Sequence, residues 1–298
     1  MAPLVSIALP IFNSERTLRE TLNSVLGQTF KDFEVLAFVD ESKDRGLEIA
    51  RSFTDKRIRV ICDGQVRSLP QRLNEMAQMA QGRYMARMDA DDIMHPQRLA
   101  RQVAAMEADP TIDVLGTDAW KMDDRMRVFG YYRSEDPPTD SLVAAQSCIF
   151  IHPAIMGRAE WFRKNPYVVA DTVFSEDVEL WTRTCSHSHF VNLHEPLLYY
   201  RTRGTNQMKR DLMCARYTDG LILEWGTRLG RAGEAGRIVA ARRRRRFVWQ
   251  MNGAIGLRWL KRSLQRTAGR SESMKAAQQH LDEILQAGSS GALLTSGE

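Results

Sequence analysis

Through residues 1–118, short apolar runs alternate with stretches whose apolar positions recur at helical spacing. Leu4-Val5-Ser6-Ile7-Ala8-Leu9, closed by Pro10, predicts a buried strand. Ser14 is a candidate helix cap, with Leu18, Leu22, Val25 and Leu26 on one face of a helix that runs to Gly27. Residues 33–39 predict a second strand, followed by a polar loop over 40–44 and a helix through Phe53. Residues 57–62, 84–88 and 112–115 predict three more strands. Helices over 69–80 and 96–106 separate them, Pro96 being well suited to a first helical position.

Strands joined by helices of this length imply right-handed βαβ units and a mostly parallel α/β sheet. Ligands of such sheets bind beyond the carboxyl ends of the strands, where Asp40 and the acidic cluster at 89–92 fall. Past Asp118 the pattern loosens, with short strands expected around 128–132, 190–193 and 197–201. From about residue 206 onward the chain reads as helical and basic, with five consecutive arginines at 242–246. Phe247, Val248, Trp249 and Trp259 follow them, interleaved with further basic residues. The stretch 287–298 is rich in glycine and serine and is expected to fray.

Composition sharpens this picture. With 298 residues, 43% hydrophobic and 27% charged, the chain is neither disordered nor fibrous. The net charge of +5 is unevenly spread: residues 201–298 hold 19 Lys and Arg against 8 Asp and Glu, leaving 23 against 29 before them. An acidic body with a basic tail suggests an anionic partner for the tail. Four scattered cysteines without a CxxC pair argue for reduced thiols in a cytoplasmic protein. No basic, apolar leader opens the chain. The longest apolar candidate, 141–157, is broken by Gln146, His152 and Pro153 and falls short of the about 20 residues that span a bilayer. A soluble protein, or one peripheral on the inner face of a membrane, is expected.

Asp89-Ala90-Asp91-Asp92 is the strongest chemical signal. Carboxylates crowded at the end of a buried strand repel one another unless a cation neutralises them, and Mg2+ or Mn2+ takes one or two such ligands alongside phosphates. On the residues alone, a solvated helix start with Asp92 near its N-terminus has an equal claim. His187, His189 and His194 lack a nearby cysteine or an HExxH pattern and read as surface residues.

Three segments carry a resemblance: Val5-Ser6-Ile7-Ala8-Leu9-Pro10-Ile11-Phe12-Asn13; Gly82 to Asp92, followed by Pro96; and Glu176-Asp177-Val178-Glu179-Leu180-Trp181-Thr182-Arg183. With His152-Pro153-Ala154 and Leu197-Leu198-Tyr199-Tyr200-Arg201 in the same order, residues 4–205 resemble the family-2 glycosyltransferases. The resemblance implies a GT-A-type, Rossmann-like fold that transfers a sugar from a nucleotide-diphospho-sugar with inversion. A nucleotide-binding half at 1–118, an acceptor half at 119–205 and a basic helical extension at 206–298 would follow.

Residue by residue, the resemblance implies that Pro10, Phe12 (more often tyrosine in the family), Asn13 and Glu15 line the nucleotide pocket. Asp40 would contact base or ribose, although Val39-Asp40-Glu41 departs from the family's paired aspartates. Asp89 and Ala90 would touch the nucleotide-sugar, with Asp91 the direct ligand of Mg2+ or Mn2+ and Asp89 assisting. Asp177 would be the base that deprotonates the acceptor hydroxyl, its pKa raised by Glu176. On residues alone, Glu176 and Asp177 favouring the first turn of a helix capped by Ser175 is the stronger reading, which the match in register reverses. Glu176, Trp181, Arg183 and His152 would fall on the acceptor side, although on the residues alone Trp181 and Arg183 have an equal claim to packing and pairing, and an isolated histidine beside a proline is more often structural. The Q-x-x-R-W element of processive members is missing, since Ile255 precedes Arg258-Trp259 by three, which implies transfer of single sugars.

A glycan or lipid-linked acceptor, in surface polysaccharide or glycolipid (lipopolysaccharide) assembly, is the expected context. The basic helix at 242–262 would rest on an anionic membrane surface. Two alternatives compete. A sugar-nucleotide nucleotidyltransferase would want a glycine-rich basic loop after the first strand, which Pro10-Ile11-Phe12-Asn13-Ser14 is not. A nucleic-acid-binding protein would use the arginine run on phosphates, and the acidic first 200 residues count against it.

Overall fold

The computed structural model describes residues 2–41, 43–170, 175–202, 207–254 and 272–289. Strands β1 (Val5–Ile11), β2 (Phe33–Val39), β3 (Ile58–Ile61) and β4 (Tyr84–Arg87) pair in parallel, β1 lying between β2 and β4. Helices α1 (Leu18–Leu26), α2 (Gly46–Arg51) and α3 (Leu69–Met79) connect them. Every residue of β2 and all but Pro10 of β1 are buried, as expected of parallel strands covered on both faces. Alternation along β1 sends Val5, Ile7, Leu9 and Ile11 against Leu18, Leu22 and Val25 of α1. Ala8, with Leu36 and Phe38, meets Leu73 and Met76 of α3 on the other face.

The chain continues through β5 (Ile93–Met94), α4 (Arg98–Ala108), β6 (Val114–Met122), β7 (Val128–Tyr132), α5 (Ser141–Ala144), a 3-10 turn at His152–Ala154, β8 (Met156–Arg158), α6 (Ala159–Lys164), α7 (Glu176–Thr184) and β9 (Phe190–Arg201). The sheet order is β3-β2-β1-β4-β8-β6-β9-β5, with β7 on β6. The parallel pattern thus holds for the first half, and β6 is also parallel to β9. Among the described residues, however, β4–β8, β8–β6, β6–β7 and β5–β9 are antiparallel. The three residues of β8 and two of β5 are too few to show a period. Residues 190–193 and 197–201 join into one strand whose register with β6 shifts around Asp118, opposite Pro196, which has no N–H to give to the ladder. Helix α1 starts three residues later than a Ser14 cap would place it. The Ser14 hydroxyl donates to Phe12 O at 3.0 Å, and its carbonyl receives the Thr17 and Leu18 N–H groups in a preceding turn.

Three more helices follow, α8 (Gln207–Arg228), α9 (Ala232–Ala254) and α10 (Glu272–Ser289). Helices α8 and α9 form a hairpin through Gly230 at φ 68°, packing Ile222, Ala235 and Val239 against Leu142 and Ala145. Helix α10 returns to the sheet edge, where Ala277 and Leu281 are buried against Ile93, Met122, Val128 and Tyr199. Gln278 accepts from Val128 N at 2.7 Å and donates to Met126 O at 3.1 Å. Of the stretch expected to fray, 287–289 complete α10; 290–298, and Trp259 within 255–271, lie outside the described residues. Among the described residues no helix is long and apolar enough to cross a membrane.

Candidate active site

Strands β1, β2 and β4 end side by side, and their ends frame a hollow of about 270 Å3 lined by Pro10, Phe12, Asp40, Arg72, Asp89, Ala90 and Asp91. Asp40 is buried and accepts from Arg72 Nε at 2.5 Å. Arg72, itself 1% exposed, also bonds Asp63 and Glu75 and lies 4.2 Å over the Phe38 ring. Asp40 therefore presents a fixed, partly neutralised carboxylate. An arginine on the apolar face of α3, between Leu69 and Met76, was the available sequence signal for Arg72. Asn13 and Glu15 do not border this hollow among the described residues. Asn13 is exposed at φ 50°, and Glu15 clasps the next loop, its N–H donating to Asp44 at 2.8 Å and its carboxylate accepting from Arg45 N at 3.1 Å.

The turn after β4 is locked through its carbonyls. Thr17 Oγ1 donates to Ala90 O, Arg201 Nε to Asp91 O and Thr21 Oγ1 to Asp92 O, at 2.8, 2.7 and 2.8 Å. The carboxylate oxygens of Asp89, Asp91 and Asp92 come within 4.8 Å of one another, a hard-oxygen set that fits a divalent cation. Asp92 is not a solvated helix-start charge. It is 1% exposed, accepts from Arg201 N at 2.7 Å, and its pKa is driven well up by burial and by Asp89 and Asp91.

Asp89 also borders a second cleft, of about 730 Å3, together with Arg87, His152, Glu176, Asp177 and Trp181. Of the metal-type carboxylates, Asp89 shares this cleft with the expected base, while Asp91 borders only the smaller hollow; Phe12 and Leu69 are shared by both. Burial raises the pKa of Asp177, opposed by the Val178 N–H and Arg87 and reinforced by Asp89. The direction matches the expectation; burial is the largest cause of the rise, and Asp89 across the cleft adds to it. Glu176 lies 3.7 Å from His152 Nδ1. His152 Nε2 is 2.8 Å from the Tyr167 hydroxyl, and burial holds the imidazole neutral, with its pKa well below the usual value. Ser175 makes no side-chain cap to α7 among the described residues.

Trp181 is buried edge-on to Phe150 at 4.9 Å, and its Nε1 has no hydrogen-bond partner among the described residues. Arg183 stays out of the cleft, bonding Glu179 one turn back at 2.8 Å and Pro166 O at 2.8 Å. His187, His189 and His194 are exposed, and among the described residues they form no ligand cluster. The sequence reading missed Arg87. It is buried, bridges to Asp89 at 2.7 Å, and leaves Nε and Nη1 without partners among the described residues. Burial works against its charge, but Asp89, Glu176 and Asp177 around it keep it protonated. Thr218 and Arg242, from the helical hairpin, also border the cleft.

The model of glycosyl transferase family 2 matches residues 6–165, more than half of the chain. The chain belongs to glycosyl transferase family 2. Among its family-2 relatives, the putative glycosyltransferase EpsE of Bacillus subtilis is 35% identical over 188 residues, covering 61% of this chain and 66% of that protein, just under two thirds of its length. The uncharacterized glycosyltransferase MJ1057 of Methanocaldococcus jannaschii is 28% identical over 227 residues, covering 72% and 78%. The Escherichia coli UDP-Glc:alpha-D-GlcNAc-diphosphoundecaprenol beta-1,3-glucosyltransferase WfgD is 33% identical over 103 residues, 35% of this chain and 41% of WfgD. Two solved structures share the fold. Staphylococcus aureus TarS 1–349 with UDP-GlcNAc gives a TM-score of 0.60 at 18% identity over 97% of this chain and 88% of that one. The Pyrobaculum calidifontis mannosyltransferase PcManGT with GDP-Man and Mn2+ gives 0.55 at 14% identity over 100% and 89%. The family-2 fold is thus the GT-A-type α/β architecture that the resemblance implied. Asp177 and Trp181 lie beyond the matched segment.

Proposed function

We propose that this family-2 member moves one sugar, with inversion, from a nucleotide-diphospho-sugar to a hydroxyl of a glycan or lipid-linked acceptor. The observation that carries this reading is that Asp89 borders both hollows, with Asp91 on one side and Asp177 on the other. The nucleotide would occupy the hollow of Pro10, Phe12 and Asp40. Asp91 and Asp89 would hold Mg2+ or Mn2+; bound there, the ion supplies charge stabilisation for a leaving diphosphate. Asp177, in the larger cleft, takes the acceptor proton on the face opposite the leaving group, as inversion requires. Its raised pKa strengthens it as a base. Arg87 pairs with Asp89 and keeps the opposing carboxylates from repelling one another.

The ligands named for TarS and PcManGT, UDP-GlcNAc and GDP-Man with Mn2+, support the donor class and the metal. WfgD's diphosphoundecaprenol acceptor supports a lipid-linked acceptor and a place in surface polysaccharide or glycolipid assembly. Family membership argues against the nucleotidyltransferase and nucleic-acid readings. On α9, exposed Arg244 and Arg245 beside Phe247 (63% exposed) and Val248 (56%) favour attachment to an anionic membrane, at its inner face. A panel of nucleotide-sugars with Mn2+, read by thermal shift and by slow donor hydrolysis, tests the central claim. One donor should stabilise and be hydrolysed in a metal-dependent way, and a silent panel would overturn it.

A further inference from the structure

The family model ends at residue 165, so the wall that α8 and α9 add to the larger cleft lies beyond the matched segment. Arg242 stands in that wall. Apart from Arg87, which is tied to Asp89, it is the one cationic arginine or lysine among the described residues lining a cleft that otherwise carries Asp89, Glu176 and Asp177. It does not border the smaller hollow assigned to the nucleotide.

Its placement is controlled. Arg242 Nε donates to Asp219 Oδ1 at 3.2 Å, and the same carboxylate receives Arg243 Nε at 3.4 Å and Arg246. Burial alone would raise the Asp219 pKa, but the three guanidinium groups outweigh it and hold the group ionised. One carboxylate among three arginines leaves a positive surplus. Arg231, nearer the hairpin turn, shows the contrast: two carboxylates, Asp140 and Glu234, satisfy that single arginine. With Nε held by Asp219, the guanidinium of Arg242 is anchored, and among the described residues its Nη groups make no hydrogen bond and can serve as donors for a ligand. A planar guanidinium in that state suits the oxygens of a phosphate.

We infer that Arg242, aimed by Asp219, binds a phosphate group carried by the acceptor; the inference rests on the glycosyl-transfer reading and assigns its acceptor class. A phosphorylated acceptor would be repelled by the acidic part of the cleft and held at this corner. Its hydroxyl, and not its phosphate, would then be turned toward Asp177.

Calorimetric titration of the full chain tests this, with Mn2+ and UDP or GDP filling the first hollow. The probes are glucose 1-phosphate, farnesyl diphosphate and, as the uncharged control, glucose. The phosphate probes should bind, and Arg242→Gln should weaken them by about tenfold or more. Arg242→Lys should retain part of the binding. Arg243→Gln, which touches the same aspartate outside the cleft, should bind like the unaltered protein. Equal affinity for both phosphates means that the phosphate alone is read, whereas a preference for farnesyl diphosphate assigns a lipid source. Failure of both phosphates to bind, glucose binding as tightly as they do, or undiminished binding by Arg242→Gln overturns the proposal. Failure of both nucleotides to bind with Mn2+ would strike the glycosyl-transfer reading first, and the inference with it.

Discussion

Asp177 borders the larger cleft and Asp91 the smaller hollow, so their substitutions should separate cleanly. Asp177→Asn keeps shape and removes the base. Nucleotide affinity should stay while turnover falls by about a hundredfold to ten-thousandfold, measured as single-turnover transfer. Asp91→Ala should instead abolish the Mn2+ dependence of nucleotide binding, measured by titration with and without the ion. The pH profile follows from the Asp177 carboxyl standing above the ordinary aspartate value of 3.8. A base acts only when deprotonated, so a raised pKa moves the acid limb of the rate upward in pH. The limb should vanish from the residual activity of Asp177→Asn. Asp89, Asp91 and Asp177 could be singled out as candidates because motifs carry them in fixed order. Arg87 and the burial of Asp92 were not legible, because packing sets them: burial with Asp89, Glu176 and Asp177 around the one, the Arg201 N–H on the other.

At the scale of elements, what reads in the sequence is continuous burial. Strands β1 and β2 are apolar runs because both faces are covered, and α3 shows its face through Leu69, Leu73 and Met76. Strands β5 and β8 escape because pairing partners, not composition, make them strands. Gly82 shows how tightly this half is fitted. Its N–H donates to Ser6 Oγ at 2.8 Å, and a Cβ there would stand 2.6 Å from Ser6 N and 2.8 Å from Val5 C. Backbone cannot yield as a side-chain tip can. Gly82→Ala should therefore cost about 1–3 kcal/mol in urea unfolding, and it should loosen β4, the strand that leads into the turn of Asp89. Wild-type stability in that variant would refute the close approach.

Across the whole molecule, the split between an acidic body and a basic tail was visible in the sequence, but its destination was not. Three of the five consecutive arginines turn inward to Asp219, and α10 packs back onto the sheet edge beside α1, where Asn23 Nδ2 donates to Gly288 O at 3.2 Å. Helical periodicity says which residues share a face, not which carboxylate another helix offers to it. Among the described residues, Arg244, Arg245, Phe247 and Val248 stay exposed on α9 for the proposed lipid contact. The protein should float with vesicles containing anionic lipid and not with neutral ones, and Arg244→Glu with Arg245→Glu should abolish flotation. Equal flotation on both vesicle types would remove the lipid assignment.

The rim shared by the two hollows has a kinetic corollary. Phe12, Leu69 and Asp89 serve both, so whatever settles in the smaller hollow becomes part of the floor of the larger one. Initial-rate plots should intersect in the manner of a compulsory-order sequential scheme rather than run parallel. The released nucleotide should compete with the donor alone.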